Sequence, residues 1–230
     1  MRVPSIQSLG QARNVLQALA DDVGRLQKWT LVPASGYYNP TPIDTNSFRV
    51  ADDSLPIWTS GLPIRYRIGG VNYYGMVSNT AAGDGIVKVF GPALTGTIQA
   101  LWIGDPRLVQ QVHWGFEGEY GGISGDLNAA YGRLFGWCGP PAYLVCAVLY
   151  HHTGRTGGTK EPTVGIYTSA QRAVFAADIL VTTSAQVQST PSASLYRVTW
   201  LYYLAARVTD KDDGSPHAKG LSVTLQFVLE

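Results

Sequence analysis

Ile64, Tyr66 and Ile68 alternate with Arg65 and Arg67, and only Gly69-Gly70 separates them from Val71, Tyr73 and Tyr74. Two alternating runs joined by two glycines read as an antiparallel hairpin, because such a turn needs positive φ at both central residues and glycine adopts it without steric cost. The signal returns at Asp84-Gly85, between Met76-Val77 and the run Ile86, Val87, Val89 and Phe90. Phe48 and Val50 open the series, and Ile98, Ala100, Leu101, Trp102 and Ile103 close it ahead of Gly104-Asp105-Pro106. Residues 48–106 are therefore expected to form a small antiparallel β barrel or sheet.

Past Pro106 the strand signals lengthen. Val112, Trp114 and Phe116 alternate with Gln111, His113, Gly115 and Glu117, the pattern of a strand with one buried face. Residues 142–150 and 195–208 are apolar and aromatic almost throughout, and Val223, Leu225, Phe227 and Leu229 alternate strictly. Residues 154–158, 189–194 and 210–214 have turn composition. This predicts a jelly-roll-like antiparallel β-sandwich over 107–230. Residues 126–137 read as a short helix weakened by two glycines.

The N-terminal part has a different period. Leu9, Ala12, Leu16, Leu19, Val23 and Leu26 recur in steps of three and four, the seam of a coiled-coil-type helix. Ser8 with Gln11 forms a capping box, and the β-favouring run Trp29 to Val32 ends the helix, so residues 1–32 form one unit. About three heptads are marginal alone, and Gly24 costs about 1 kcal/mol relative to alanine, so the seam needs a partner surface. Either its own domain or other copies of the chain would provide one. Pro33, Gly36, Pro40 and Pro42 mark residues 33–47 as an extended arm.

Charged residues are 14% of the chain, against about 25% in soluble proteins generally, which suits surfaces that meet other protein. The net charge of +1 and the lack of a basic run argue against nucleic acid as a partner. No 18-residue apolar stretch and no signal-peptide pattern occur, which predicts no membrane insertion and synthesis in the cytoplasm. Cys138 and Cys146 are expected to be free and buried.

Catalytic and metal signatures are faint. His151 and His152 are neighbours that a strand sends to opposite faces, His113 faces outward and His217 lies in a polar loop, none at metal-ligand spacing. The GRTGGTK run at 154–160 resembles a phosphate loop without its second glycine or following helix, and Asp210, Asp212, Asp213 and Gly214 miss the spacing of a calcium loop. Glu117 and Glu119 read as a solvated strand face, and Ser124 lacks a nucleophile elbow. The expectation is a protein with no enzymatic activity, cofactor or metal.

The segments SFRV (47–50), GLPIRYRIGG (61–70), VNYYGMV (71–77) and TGTIQALWIGDP (95–106) resemble a β module of small virion proteins of tailed bacteriophages. The resemblance implies a homotrimeric structural protein, a short fibre or a capsid decoration protein, held to other capsid or tail proteins by its N-terminal part. No depolymerase carboxylate set or His-x-His repeat accompanies it. The alternative is a phage-tail module that binds a host surface glycan or receptor, and a third reading is a cellular β-sandwich adaptor. Exposure of Trp137, Tyr150 and Trp200 separates the first two: in a solvent groove they favour binding, in the interior they favour structure.

Overall fold

The computed structural model describes residues 28–32, 40–51, 57–81, 84–119, 133–137, 139–168, 172–175, 177–188, 197–199, 202–210 and 212–230. The heptad residues Leu9, Ala12, Leu16, Leu19, Val23 and Leu26, and with them the expected coiled-coil helix, lie outside the described residues. The chain is mainly β, and its strands are antiparallel.

Seven strands form the N-terminal sheet: β1 (Trp29–Val32), β2 (Thr41–Asp44), β3 (Ser47–Arg49), β4 (Pro63–Ile68), β5 (Val71–Ala81), β6 (Ile86–Phe90) and β7 (Ala100–Gly104), in the order β1-β7-β4-β5-β6-β3-β2. Gly69 and Gly70, at φ +59° and +80°, make the tight turn that sets Ile68 opposite Val71, as the glycine pair predicts. Two boundaries differ from the sequence reading. Trp29–Val32 is a strand paired with β7, where the sequence reading made it the end of the helical unit. Part of the expected arm is a hairpin, with β2 folded back on β3. Pro42 is compatible with this because β2 is an edge strand among the described residues, where a missing N–H breaks no ladder bond.

Both faces of this sheet are covered. On one, Phe48, Trp58, Ile64, Tyr66, Val77 and Leu101 are at most 1% exposed. Phe48 and Trp58 meet edge to face at 5.5 Å, and the Tyr66 hydroxyl donates to the Pro92 carbonyl. The other face carries Tyr74 and Met76 from β5 together with Arg65, whose guanidinium lies 4.2 Å from the Trp102 ring and 5.3 Å from that of Trp29.

A single 3-10 turn at Pro106–Leu108, capped by Asp105, leads into the second part. Its strands are β8 (Val109–Glu119), β9 (Arg133–Trp137), β10 (Ala142–Thr153), β11 (Thr163–Thr168), β12 (Ile179–Leu180), β13 (Gln186–Gln188), β14 (Arg197–Val198), β15 (Tyr202–Asp210) and β16 (Lys219–Leu229). A middle sheet runs β13-β10-β16-β8, with β14 also on β10, and an outer sheet runs β12-β11-β15-β9. The middle sheet thus has five strands and the outer one four; leaving β14 aside, the other eight wind between the two sheets in the strand order of a jelly-roll sandwich. The run 195–208 is not one strand: β14 lies in the middle sheet and β15 in the outer one. Residues 133–137 of the expected short helix are strand β9, paired with β15.

Strand β10 shows why residues 142–150 lack alternation. A bulge between Leu144 and Cys146 shifts the phase by one residue. Ala142 and Leu144 before it, and Ala147 and Leu149 after it, face the sandwich core with Leu204, Val223 and Phe227. Tyr143, Val145 and Cys146 face the N-terminal sheet, joining Tyr74, Met76 and Val228. Tyr74 stacks on Tyr143 at 4.1 Å and 8°, so the middle sheet is buried on both sides at this level. Cys146 is free, donates to Gln226 Oε1 at 2.8 Å, and has its thiol pushed up to about 12 by burial. Cys138 lies outside the described residues.

Candidate functional site

The register of the middle sheet sets side chains from three strands in rows on the face toward the N-terminal sheet. Tyr143, Val228 and Val109 form one row, Cys146, Gln226 and Gln111 the next, then Val148, Thr224 and His113, then Tyr150, Ser222 and Gly115. The N-terminal sheet packs against members of the lower rows: Tyr143, Cys146, Val148, Val109 and Val228. In the upper rows Tyr150 and Thr224 are half-buried and His113 is exposed, while Ser222 between them is fully buried.

Here the half-buried Tyr150 ring stacks on exposed His152 at 5.5 Å and 12°. His113 is exposed and shares a 2.9 Å hydrogen bond with Thr224 Oγ1 through its Nδ1. Ser222 is 0% exposed and its Oγ has no hydrogen-bond partner among the described residues. A buried hydroxyl left unpaired costs about 1–3 kcal/mol. Beside it is Gly115, where among the described residues a Cβ would meet only the Leu221 carbonyl, 4.0 Å away. Val187 of β13, opposite Val148, is 48% exposed and borders the patch. These rows contain no Asp, Glu, Lys or Arg. The patch offers ring faces and neutral hydrogen-bonding groups.

A second polar cluster closes one end of the sandwich and joins two motifs that the sequence reading kept apart. Asp213 accepts from the amides of Thr159 and Lys160, each at 2.8 Å, and these amides hold its carboxyl below the usual range. Gly158, at φ +69°, lets the loop press against that carboxylate, where a side chain would collide. Lys160 pairs with Asp210 at 2.7 Å, and Arg155 with Glu161 at 3.4 Å. Thus two amides of the phosphate-loop-like run are taken by a carboxylate of the same chain. His217 is not isolated as its spacing suggests: its Nδ1 donates at 2.9 Å to Asp212, which is 1% exposed and also accepts from the amides of Gly214 and Ala218. His151 and His152 point to opposite sides, His151 buried and His152 exposed, and burial lowers the pKa of His151. Among the described residues no three His, Cys, Asp or Glu side chains are grouped to hold a metal ion.

Trp137 is interior, 4% exposed, with its ring 4.4 Å from that of Phe227 and its Nε1 donating to the Pro140 carbonyl. Trp200, Ser124 and the heptad seam lie outside the described residues, as do the side chains of Glu117 and Glu119. Sequence reasoning named Tyr150 and missed Ser222 and Gly115, which join Tyr150 only through the pairing of distant strands.

No protein-family model matches the chain, and no curated protein matches it. Among solved structures it is similar to "Structure of infectious bursal disease virus Gx strain", at 13% identity and a TM-score of 0.26. That likeness covers 88% of this chain and 54% of the other, so this chain spans about half the length of its neighbour. Agreement at that level carries no functional argument.

Proposed function

We propose that the chain is a non-enzymatic structural protein of a bacteriophage virion, a trimeric short fibre or surface decoration protein held by its N-terminal part. The observation that carries the proposal is the place of the residues that resemble phage virion modules. SFRV, GLPIRYRIGG, VNYYGMV and TGTIQALWIGDP hold β3, β4, β5 and β7 of one continuous sheet, so the matching segments belong to one folded unit. The buried position of Trp137 also favours a structural role over sugar binding at that residue. Jelly rolls serve in viral capsids and in lectins alike, so the architecture admits this role without assigning it.

In this reading Leu9, Ala12, Leu16, Leu19, Val23 and Leu26 bury against the same residues of two other copies, and other capsid or tail proteins receive the assembly. Light scattering on the full chain and on the Leu16→Asp/Leu19→Asp double variant tests it. A trimer that falls to a monomer supports the stalk. A trimer that survives puts the contacts in the β domains, and a monomer in both refutes trimerisation. A truncation used alongside should end at residue 27, because deleting 1–32 removes β1 from the sheet.

A further inference from the structure

We propose that β8 is the edge along which a second copy of this chain adds to the middle sheet, the two strands running antiparallel about a two-fold axis near His113. Free sheet edges invite such pairing, and proteins blunt them by keeping them short or by placing proline and lysine in them. Among the described residues the other edges follow that rule. Strands β1, β2, β9, β12, β13 and β14 have five residues at most, Pro42 sits in β2, and Pro33 follows β1. Strand β8 does not follow it. It has eleven residues, pairs with β16 on one side only among the described residues, keeps its register unbroken from Val109 to Phe116, and contains no proline, lysine or arginine. Gln110 and Gln111, which a strand sends to opposite faces, are both exposed, so solvent reaches this edge from both sides of the sheet.

The distribution of charge makes a second copy the partner that fits. Residues 109–116 carry no Asp, Glu, Lys or Arg, so two such edges meet without repulsion along their middles. Glu117 and Glu119 stand at one end of the strand, where Lys219 lies opposite Glu119 in the register. At the other end a cavity of about 260 Å³ is lined by Lys28, Asp105, Arg107, Leu108 and Leu229. Asp105 holds Arg107 at 2.6 Å, and the Lys28 ammonium has no partner among the described residues. An antiparallel pair centred near His113 brings the acidic end of each copy beside the Lys28 end of the other, twice over, whereas a parallel pair would set the glutamates together. About eight residues pair on each side, less contact than the roughly 800 Å² per partner of a standard interface, so the association is expected to be weak and to raise the mass only at high concentration.

Disulfide trapping on the full chain tests the proposal, with Cys138 replaced by serine and Cys146 buried. Residues facing each other in an antiparallel pair have Cα atoms about 4.5–5.5 Å apart, within disulfide reach, whereas the two copies of residue 111, or of residue 115, would lie about 14 Å apart along the strands. Mild oxidation should therefore link His113→Cys into a covalent dimer far faster than Gln111→Cys or Gly115→Cys. A maximum at either of those two keeps the pairing and moves its axis by two residues. Equal linkage from all three, or none from any, overturns the proposal. The link should persist when Leu16→Asp/Leu19→Asp is added, and its loss there would assign the contact to the heptad seam and overturn the proposal too. In sedimentation equilibrium His113→Lys sets two like charges opposite each other and should weaken the concentration-dependent association about 5-fold. Tyr203→Lys, at an exposed position on the outer sheet, should leave it unchanged. A parent mass that does not rise with concentration, or a rise that His113→Lys does not affect, counts against β8 as a self-pairing edge, as does an edge that takes up only an extended segment of a different protein and leaves this chain unlinked.

Discussion

Replacing Tyr74 and Tyr143 by alanine, singly and together, measures how firmly the two halves of the chain are joined. The rings are 5% and 8% exposed and stack at 4.1 Å. A buried aromatic removes about 150–250 Å² from water, which at about 25 cal/mol per Å² is worth roughly 4–6 kcal/mol. That is an upper bound, since unfolded chains already bury part of this surface, and aromatic truncations in cores cost about 3–5 kcal/mol. We expect each single variant to lose about 3–4 kcal/mol. The double variant should lose less than the sum by about 0.5–1.5 kcal/mol, the coupling of a stacked pair. Urea unfolding of all four proteins, followed by fluorine NMR of fluorotryptophan at Trp58 and Trp137, reads both cores separately, because each indole is buried in a different one. Both reporters should share one midpoint in the parent protein, and both should move in either variant. Additivity within about 0.3 kcal/mol, with two midpoints that neither variant shifts, would refute the shared interface.

Three further perturbations probe smaller features. At Gly69, φ +59° makes valine cost about 1–2 kcal/mol while asparagine stays within a few tenths, which urea midpoints would show. Asp213 has a folded pKa below its unfolded value of about 3.9, so its contribution is present above that value and is lost as pH falls through the lower folded one. The melting temperature of the parent should therefore drop more steeply in acid than that of Asp213→Asn, and parallel curves would contradict the clasp. With Cys138 replaced by serine, Cys146 should react with a disulfide reagent at mildly alkaline pH only as fast as the protein opens, because burial pushes its thiol up to about 12. Immediate labelling of the folded protein would show that the interface with the N-terminal sheet is open.

The hairpins at Gly69-Gly70 and Asp84-Gly85, the alternating last strand and the β-sandwich were all legible in the chain, because turn dihedrals and side-chain period are local properties. Strands β1 and β2 were not. One follows a heptad pattern and the other lies among prolines, and what makes each a strand is a neighbour far along the chain: β7 for Trp29–Val32, β3 and through it β6 for Thr41–Asp44. The uninterrupted run 195–208 hid a passage between sheets, since hydrophobicity alone does not say which of two buried layers a residue enters. The same limit governs the candidate site. Tyr150 announced itself as an aromatic at a strand end, but Ser222 is an ordinary serine until the bulge in β10 and the pairing with β16 place it opposite that ring and next to Gly115. Likewise the phosphate-loop-like and calcium-loop-like runs read as two unrelated turns until folding set the carboxylate of one on the amides of the other. Sequence by itself determined which segments pair locally and which faces are apolar. Tertiary structure decided which rows are covered, which polar groups satisfy each other and which are left over, because those outcomes depend on packing between segments that meet only when the two sheets close.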